Sequence, residues 1–347
     1  ILCVGDVSSE IILGTPSFGG IVTFTWTNDQ PSIGLAASGT GNIPSFVAIN
    51  TGDILITATI AVTPHFTLGG QMCDGSPRIF TISVNPIPKV VPSVTEQIIC
   101  DNGTTNITLG SPNTFTSGVV TFNYTATATG GLTGFTASAT GLPNNHIIAD
   151  VLDNPTDTPQ TVTYTITPVS PVGCNNGPSV NVTVTVNPTP RIFPVPVNSI
   201  QCDSTTTNIR LESPSTFTSG VVTFKYTATA TGGMTGFTAS ATGLPNNHVI
   251  ADKLINPTDA PQSVTYHVIP VSPTGCSDGA GIDITVTVNP TPRVYPVPVN
   301  TIQCDNTATS ITLQSPGTFT SGVVTFRYTA TATGGVTGYT VSATGLP

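Results

Sequence analysis

A unit of 102 residues recurs along this chain: Cys100, Cys202 and Cys304 stand at one point of successive copies, and Cys174 and Cys276 at another. Between residues 100–201 and 202–303 about three quarters of positions are identical, including the runs TFTSGVVTF, YTATATGG and TVTVNPTPR. Repeats of this length are whole domains in tandem. A catalytic site needs one special constellation, whereas domains duplicated in series multiply length or valency. The repetition therefore points to structure and adhesion before chemistry.

With 347 residues and a period near 100, the chain is expected to hold three domains and part of a fourth, each complete one large enough for its own core. Every unit closes on the same phrase: Asn85-Pro86-Ile87-Pro88, Asn187-Pro188-Thr189-Pro190 and Asn289-Pro290-Thr291-Pro292. Two prolines in four residues cannot lie in a central strand, so they end one domain and stiffen the passage to the next. The boundaries that follow are 1–88 for a divergent first repeat, N-terminally incomplete, then 89–190, 191–292, and a partial repeat over 293–347. The last copy stops at Gly345-Leu346-Pro347, which align with Gly141-Leu142-Pro143, so the stretch reads as part of something longer.

Within a unit the hydrophobic period is two. Val180, Val182, Val184 and Val186 alternate with Ser179, Asn181, Thr183 and Thr185, and Val162, Tyr164 and Ile166 alternate with Thr161, Thr163 and Thr165. Such strands bury one face and wet the other. Val120, Phe122 and Tyr124 lead toward Gly130-Gly131, a hairpin signal. No segment carries a helical stripe. About seven short strands per hundred residues predict an all-β fold: tandem immunoglobulin-like β-sandwiches in an extended array. Trp26 lies 23 residues after Cys3, and Tyr124, Tyr226 and Tyr328 each lie 24 after their own first cysteine, so one large aromatic per domain is the expected core anchor.

Composition removes several function classes. Only 7% of residues are charged and the net charge is −9, with eight Lys and Arg in all, which gives nucleic acid no basic surface to bind. No run of 18 apolar residues is present, so no direct membrane insertion through a helix is expected. HExxH and phosphate-cradling loops are absent, and Asp150, Asp153 and Asp157 are read as loop and turn carboxylates, because the next copy keeps Asp252 and Asp259 but has Ile255 in place of Asp153. The chain is read as non-enzymatic. No cofactor is expected; calcium is the alternative, with Asp101, Asn102, Asp150, Asn154 and Asp157 as donors, although none has the DxDxDG spacing.

The cysteines are read as structural disulfides within domains: Cys3 with Cys73, Cys100 with Cys174, and Cys202 with Cys276, at separations of 70, 74 and 74, leaving Cys304 with its partner outside the chain. A rival register pairs Cys73 with Cys100 and Cys174 with Cys202. Paired cysteines imply an oxidising compartment, hence export. Asp203-Ser204-Thr205 resembles a bacterial O-glycosylation triplet with Ser204 as acceptor. Asn123, Lys225 and Arg327 share one outward position, so that face holds no fixed ligand group.

The early cysteine, the WT or YT strand, the segment VTYTITPVSPVGC and the closing VTVTVNPTP together resemble the PKD-like and immunoglobulin-like repeats of giant secreted surface proteins of Bacteroidota, gliding adhesins among them. The resemblance implies a filament outside the cell, on the cell surface and associated with the outer membrane, exported by the type IX system. It further implies contact with a substratum or surface polysaccharide, and attachment to the secretion and gliding machinery through regions outside this chain. Two competing readings are a glycan-binding module gripping through loops such as Gly141–His146, and a non-catalytic spacer of a large secreted enzyme.

Overall fold

The computed structural model describes residues 1–16, 19–193, 198–295 and 302–347. It contains strands, turns and one short 3-10 turn, Pro31–Ile33, with no α-helix among the described residues. Two compact units divide it, Ile1–Asn187 and Pro188–Pro347.

The first unit holds two sandwiches. In the second of them the larger sheet runs Ser138–Leu142, Thr121–Ala128, Gln160–Val169, Val180–Asn187, Glu96–Cys100. All neighbours in it are antiparallel except the last pair: the opening strand lies parallel to the closing one, with Glu96 opposite Thr183 and Cys100 opposite Asn187. Against this sheet lies a smaller layer of Val91–Pro92, Ile107–Gly110 and Ile147–Ile148, beside the pair Gly103–Thr104 and Val151–Leu152. The valines and tyrosines of the alternating runs form its core: Val162, Tyr164, Ile166, Val182, Val184 and Val186 are fully buried, while the intervening threonines face outward. Burying each such valine stabilises by roughly 1.5–3 kcal/mol relative to leaving it exposed.

The first sandwich follows the same plan with Leu2–Cys3, Arg78–Asn85, Ile56–Leu68, Ile21–Asn28 and Ser38–Thr40, its opening strand again parallel to its last, Cys3 opposite Asn85. In the second unit the third sandwich repeats the order with Asn198–Cys202, Ile282–Asn289, Gln262–Val271, Thr223–Ala230 and Ser240–Pro245, Cys202 opposite Asn289. The fourth copy forms the hairpin Phe326–Thr329 with Ser342–Leu346.

The expected aromatic anchors are buried in three copies: Trp26 is 3% exposed, and Tyr124 and Tyr226 are 5% exposed. Tyr328 is 38% exposed, on a strand whose partner among the described residues is Ser342–Leu346. Each buried Tyr meets a second one edge to face. Tyr124 with Tyr164 and Tyr226 with Tyr266 both have ring centroids 5.6 Å apart at 74°. The second tyrosine donates its hydroxyl to a carboxylate, Tyr164 to Asp150 at 2.7 Å and Tyr266 to Asp252 at 2.8 Å, and that carboxylate also accepts from the backbone and hydroxyl of Thr136 or Thr238. Burial, followed by the hydrogen bond and charge of the adjacent carboxylate, raises the phenols of Tyr164 and Tyr266 far above the ordinary tyrosine range.

A raised folded-state pKa means that the unfolded chain ionises first, from about pH 10, so the stability these two phenols confer is complete below that pH and declines above it. An alkaline titration should therefore show phenolate absorbance from Tyr164 and Tyr266 only together with loss of near-ultraviolet dichroism. Tyr164→Phe should cost about 1.5–3 kcal/mol in denaturant unfolding, as the loss of one hydrogen bond to a charged acceptor.

Candidate functional site: the joint between domains

The parallel pairing of first and last strands decides where the chain leaves each sandwich and what stands beside it. At the exit of the first domain Asn85 is fully buried, and its amide clasps Thr116 of the second: Oδ1 accepts the Thr116 N–H at 3.0 Å, and Nδ2 lies 3.5 Å from the Thr116 hydroxyl. The joint between the third domain and the fourth copy is built identically, with Asn289 Oδ1 accepting from Thr320 N at 2.9 Å and Nδ2 donating to its hydroxyl at 3.0 Å. Around each clasp the Thr two residues earlier reaches back to the preceding domain: Thr114 N–H donates to the Asp53 carbonyl at 3.1 Å, and Thr318 N–H to that of Asp259 at 2.8 Å. The same aspartates form ion pairs across the joint, Asp53 with Lys89 and Asp259 with Arg293. These pairs are partly exposed and contribute little energy by themselves. Asn113 adds bonds from its amide to the carbonyls of Asp53 and Ile87.

The linker prolines pack rather than dangle. Gly177 donates its N–H to the Pro168 carbonyl at 3.1 Å and lies so close to Pro88 that a Cβ there would collide with the Pro88 carbonyl oxygen; Gly279 does the same with Pro270 and Pro190. In the second unit, Asp203 Oδ1 accepts from Asn256 N at 2.7 Å and Oδ2 from the hydroxyl of the linker residue Thr291 at 2.7 Å. Burial alone would raise the Asp203 carboxyl, but the hydrogen bonds from Asn256, Thr291 and Ser204 outweigh it and hold it below the usual carboxylate range.

The cysteines correct the expected register. Cys3 is bonded to Cys174, with Cα atoms 5.5 Å apart and a sequence separation of 171. Cys3 is therefore not paired with Cys73, nor Cys174 with Cys100. Cys100 and Cys276 are each engaged in a disulfide, while Cys73, Cys202 and Cys304 are exposed thiols, so the Cys202–Cys276 pair and the rival pairs Cys73–Cys100 and Cys174–Cys202 are also absent. The reason is the strand order. Cys100 is level with Asn187 at one end of the closing strand, whereas Cys174 precedes Val180 at the other. Seven steps of about 3.3 Å separate those ends by roughly 23 Å, against the at most about 6.8 Å that a disulfide tolerates. The exit of the first domain abuts the entry of the second, so the first cysteine of the first domain meets the second cysteine of its successor across the Asn85–Pro88 linker. In the chain-entropy account, closing a loop of that length contributes roughly 5 kcal/mol.

Other sequence candidates are dispersed. Asp150 is engaged by Tyr164 and Thr136, Asp153 accepts from the Thr133 hydroxyl at 3.4 Å, and Asp101 accepts from Asn154 N at 2.8 Å, with Asn102 in the left-handed region. Asn154 spends its amide on the carbonyls of Thr158 and Val186. No group of three or more His, Cys, Asp or Glu side chains placed to hold a metal occurs among the described residues. Ser204 is exposed at a left-handed turn next to Asp203. At the shared outward position, Asn123 accepts from Gly141 N and Lys225 pairs with Asp278 at 2.7 Å. The Gly141–His146 loop is a tight turn held by the bond from Ser111 N to Asn144 Oδ1 and by Asn145 in the left-handed region. The residues that sequence reasoning missed are the clasp pairs. Their signal was present, since Asn recurs before each linker and Thr in each TFTSG run, but nothing in the sequence shows that they meet.

A family model for the PKD-like domain matches residues 97–190 and 199–292, more than half of the chain. The chain belongs to the PKD-like domain family. Solved structures similar to it include the human desmocollin-1 ectodomain (13% identity, 85% of this chain and 61% of that one, TM-score 0.37), mouse cadherin-23 repeats EC22–24 (12%, 84% and 94%, 0.41) and the titin I-band fragment I67–I69 (9%, 84% and 94%, 0.35). The chain thus spans less than two thirds of the desmocollin ectodomain it matches. No curated protein sequence matches it.

Two outcomes follow from the joint. Because the Asp203 pKa is lowered, its contribution is present above the ordinary carboxylate range and is lost as pH falls through the depressed value. Thr291→Ala should therefore move the Asp203 titration upward, read by carboxyl NMR, and shift the onset of acid destabilisation to higher pH. Gly177→Ala should leave both cores intact by near-ultraviolet dichroism yet raise proteolysis at the 85–88 linker several-fold; unchanged cleavage would show that the glycine contact does not hold the joint.

Proposed function

We propose that the chain is a load-bearing shaft segment of an exported surface adhesin, a non-catalytic spacer that holds an adhesive apparatus away from the cell. The observation that carries this reading is the Cys3–Cys174 bond, a covalent strut across a domain joint in a family of tandem sandwiches. Load entering at the start of a sandwich and leaving at its end acts along the opening and closing strands. Their parallel pairing, five residues long in the second domain, places all the ladder hydrogen bonds under shear together instead of one after another. The strut adds a second path, passing force from the first domain's opening strand directly to the entry loop of the second.

Disulfides support an oxidising, extracellular location. No helix of the described residues is long and apolar enough to cross a membrane. Cell-surface and outer-membrane association, type IX export and a part in gliding rest on the likeness to flavobacterial gliding adhesins such as SprB. On this reading the partners are the substratum or its polysaccharide, with the secretion and gliding machinery contacting other regions of the protein. Glycan binding by the repeats themselves is the second reading.

Single-molecule stretching of the chain from its two ends tests the strut. Without reductant, the segment bracketed by Cys3 and Cys174 should release no length. With reductant it should release on the order of 600 Å, from its 171 positions at about 3.5 Å each. Equal contour lengths in both conditions would remove the strut from the mechanism.

A further inference from the structure

We propose that Cys202 is the open half of a staple of the same kind, and that its partner is the second cysteine of the repeat docked behind it in the same polypeptide. The rule is that the first cysteine of a repeat bonds the second cysteine of its successor. Three observations carry it.

Cys202 occupies the station of Cys3. Each ends its domain's opening strand, parallel to the closing one and level with the buried or clasping Asn, Cys3 with Asn85 and Cys202 with Asn289. The joint behind Cys202 is assembled on the same contacts as the joint behind Cys3, namely the Asn289–Thr320 clasp, the Thr318 bond to Asp259 and the Asp259–Arg293 pair. Yet Cys202 is an exposed thiol. Its partner would lie on the loop corresponding to residues 170–179 of the second repeat, whereas the fourth copy runs here to Pro347, the equivalent of Pro143. Cys73 is the complementary half, an exposed thiol on Gln71–Asp74, at the entry end of its domain where Leu68 pairs with Gln71.

Bond formation is thiol–disulfide exchange with a disulfide oxidant. The incoming cysteine first forms a mixed disulfide with the oxidant. The Cys202 thiolate, its proton lost to solvent, then attacks the cysteine sulfur of that mixed disulfide. One S–S bond forms as another breaks, and the oxidant departs as two thiols.

The test extends the full chain after Pro347 with a copy of residues 246–292, so that the fourth repeat acquires its second cysteine. After folding with oxidised glutathione, peptide mapping should recover the added cysteine joined to Cys202 in a monomer, with Cys304 still labelled as a thiol. A link from the added cysteine to Cys304, a covalent dimer, or an unpaired added cysteine would overturn the proposal. A second measurement needs no new domain. In Cys174→Ser the rule leaves Cys3 without a partner, so labelled thiols should rise from three to four and include both Cys3 and Cys73. Recovery of a Cys3–Cys73 disulfide would overturn the rule equally.

Discussion

The parallel pairing of opening and closing strands is the constraint on which the rest of this structure depends. An immunoglobulin-like sandwich whose first strand joined its last antiparallel would bring the chain in and out at one end. Here Cys100 lies beside Asn187, Cys3 beside Asn85 and Cys202 beside Asn289, so the start of the opening strand and the end of the closing strand lie at opposite ends of the domain. That arrangement lets one sandwich stack on the exit of another, and it brings a short linker, a buried Asn and a cysteine to the same end.

The joint is assembled from weak parts that act together. A surface ion pair such as Asp53–Lys89 contributes little alone. The Asn85 clasp on Thr116 is different, because a fully buried amide left without partners would cost about 1–3 kcal/mol, and docking of the next domain supplies them. Pro86 and Pro88 remove backbone freedom from the unbound state, and Gly177 lets the following domain approach the Pro88 carbonyl. The disulfide then converts a docked joint into one that cannot open independently of the two domains it ties.

The polar groups inside the sandwiches serve the same end. Asp150 could look like a catalytic or calcium carboxylate in the sequence; in the fold it accepts from Tyr164 and Thr136, and its copy Asp252 repeats this with Tyr266 and Thr238. Asn50, Asn154 and Asn256 each tie a turn to the carbonyl of a closing strand, at Val84, Val186 and Val288. The abundant polar residues therefore brace strand ends and turns, which explains how a chain with so few charges stays ordered.

The fold was legible because its signals are local. Alternation of valine with threonine sets strand faces, paired glycines set hairpins, and Asn-Pro-x-Pro sets the ends, and all of these act within a few residues. The clasp and the staple were not legible, because each joins groups from different domains. Cys73 is the cysteine nearest to Cys3 in sequence, and a spacing near 70 in an all-β chain suits a bridge inside one sandwich. Period and composition by themselves determined that this protein is a series of β-sandwiches with one aromatic anchor and stiff linkers. Only the tertiary structure decided which cysteine meets which, because bond formation requires Cα atoms within about 6.8 Å, and strand order places Cys174 at the far end of its own domain while docking of the second domain on the first brings it to Cys3.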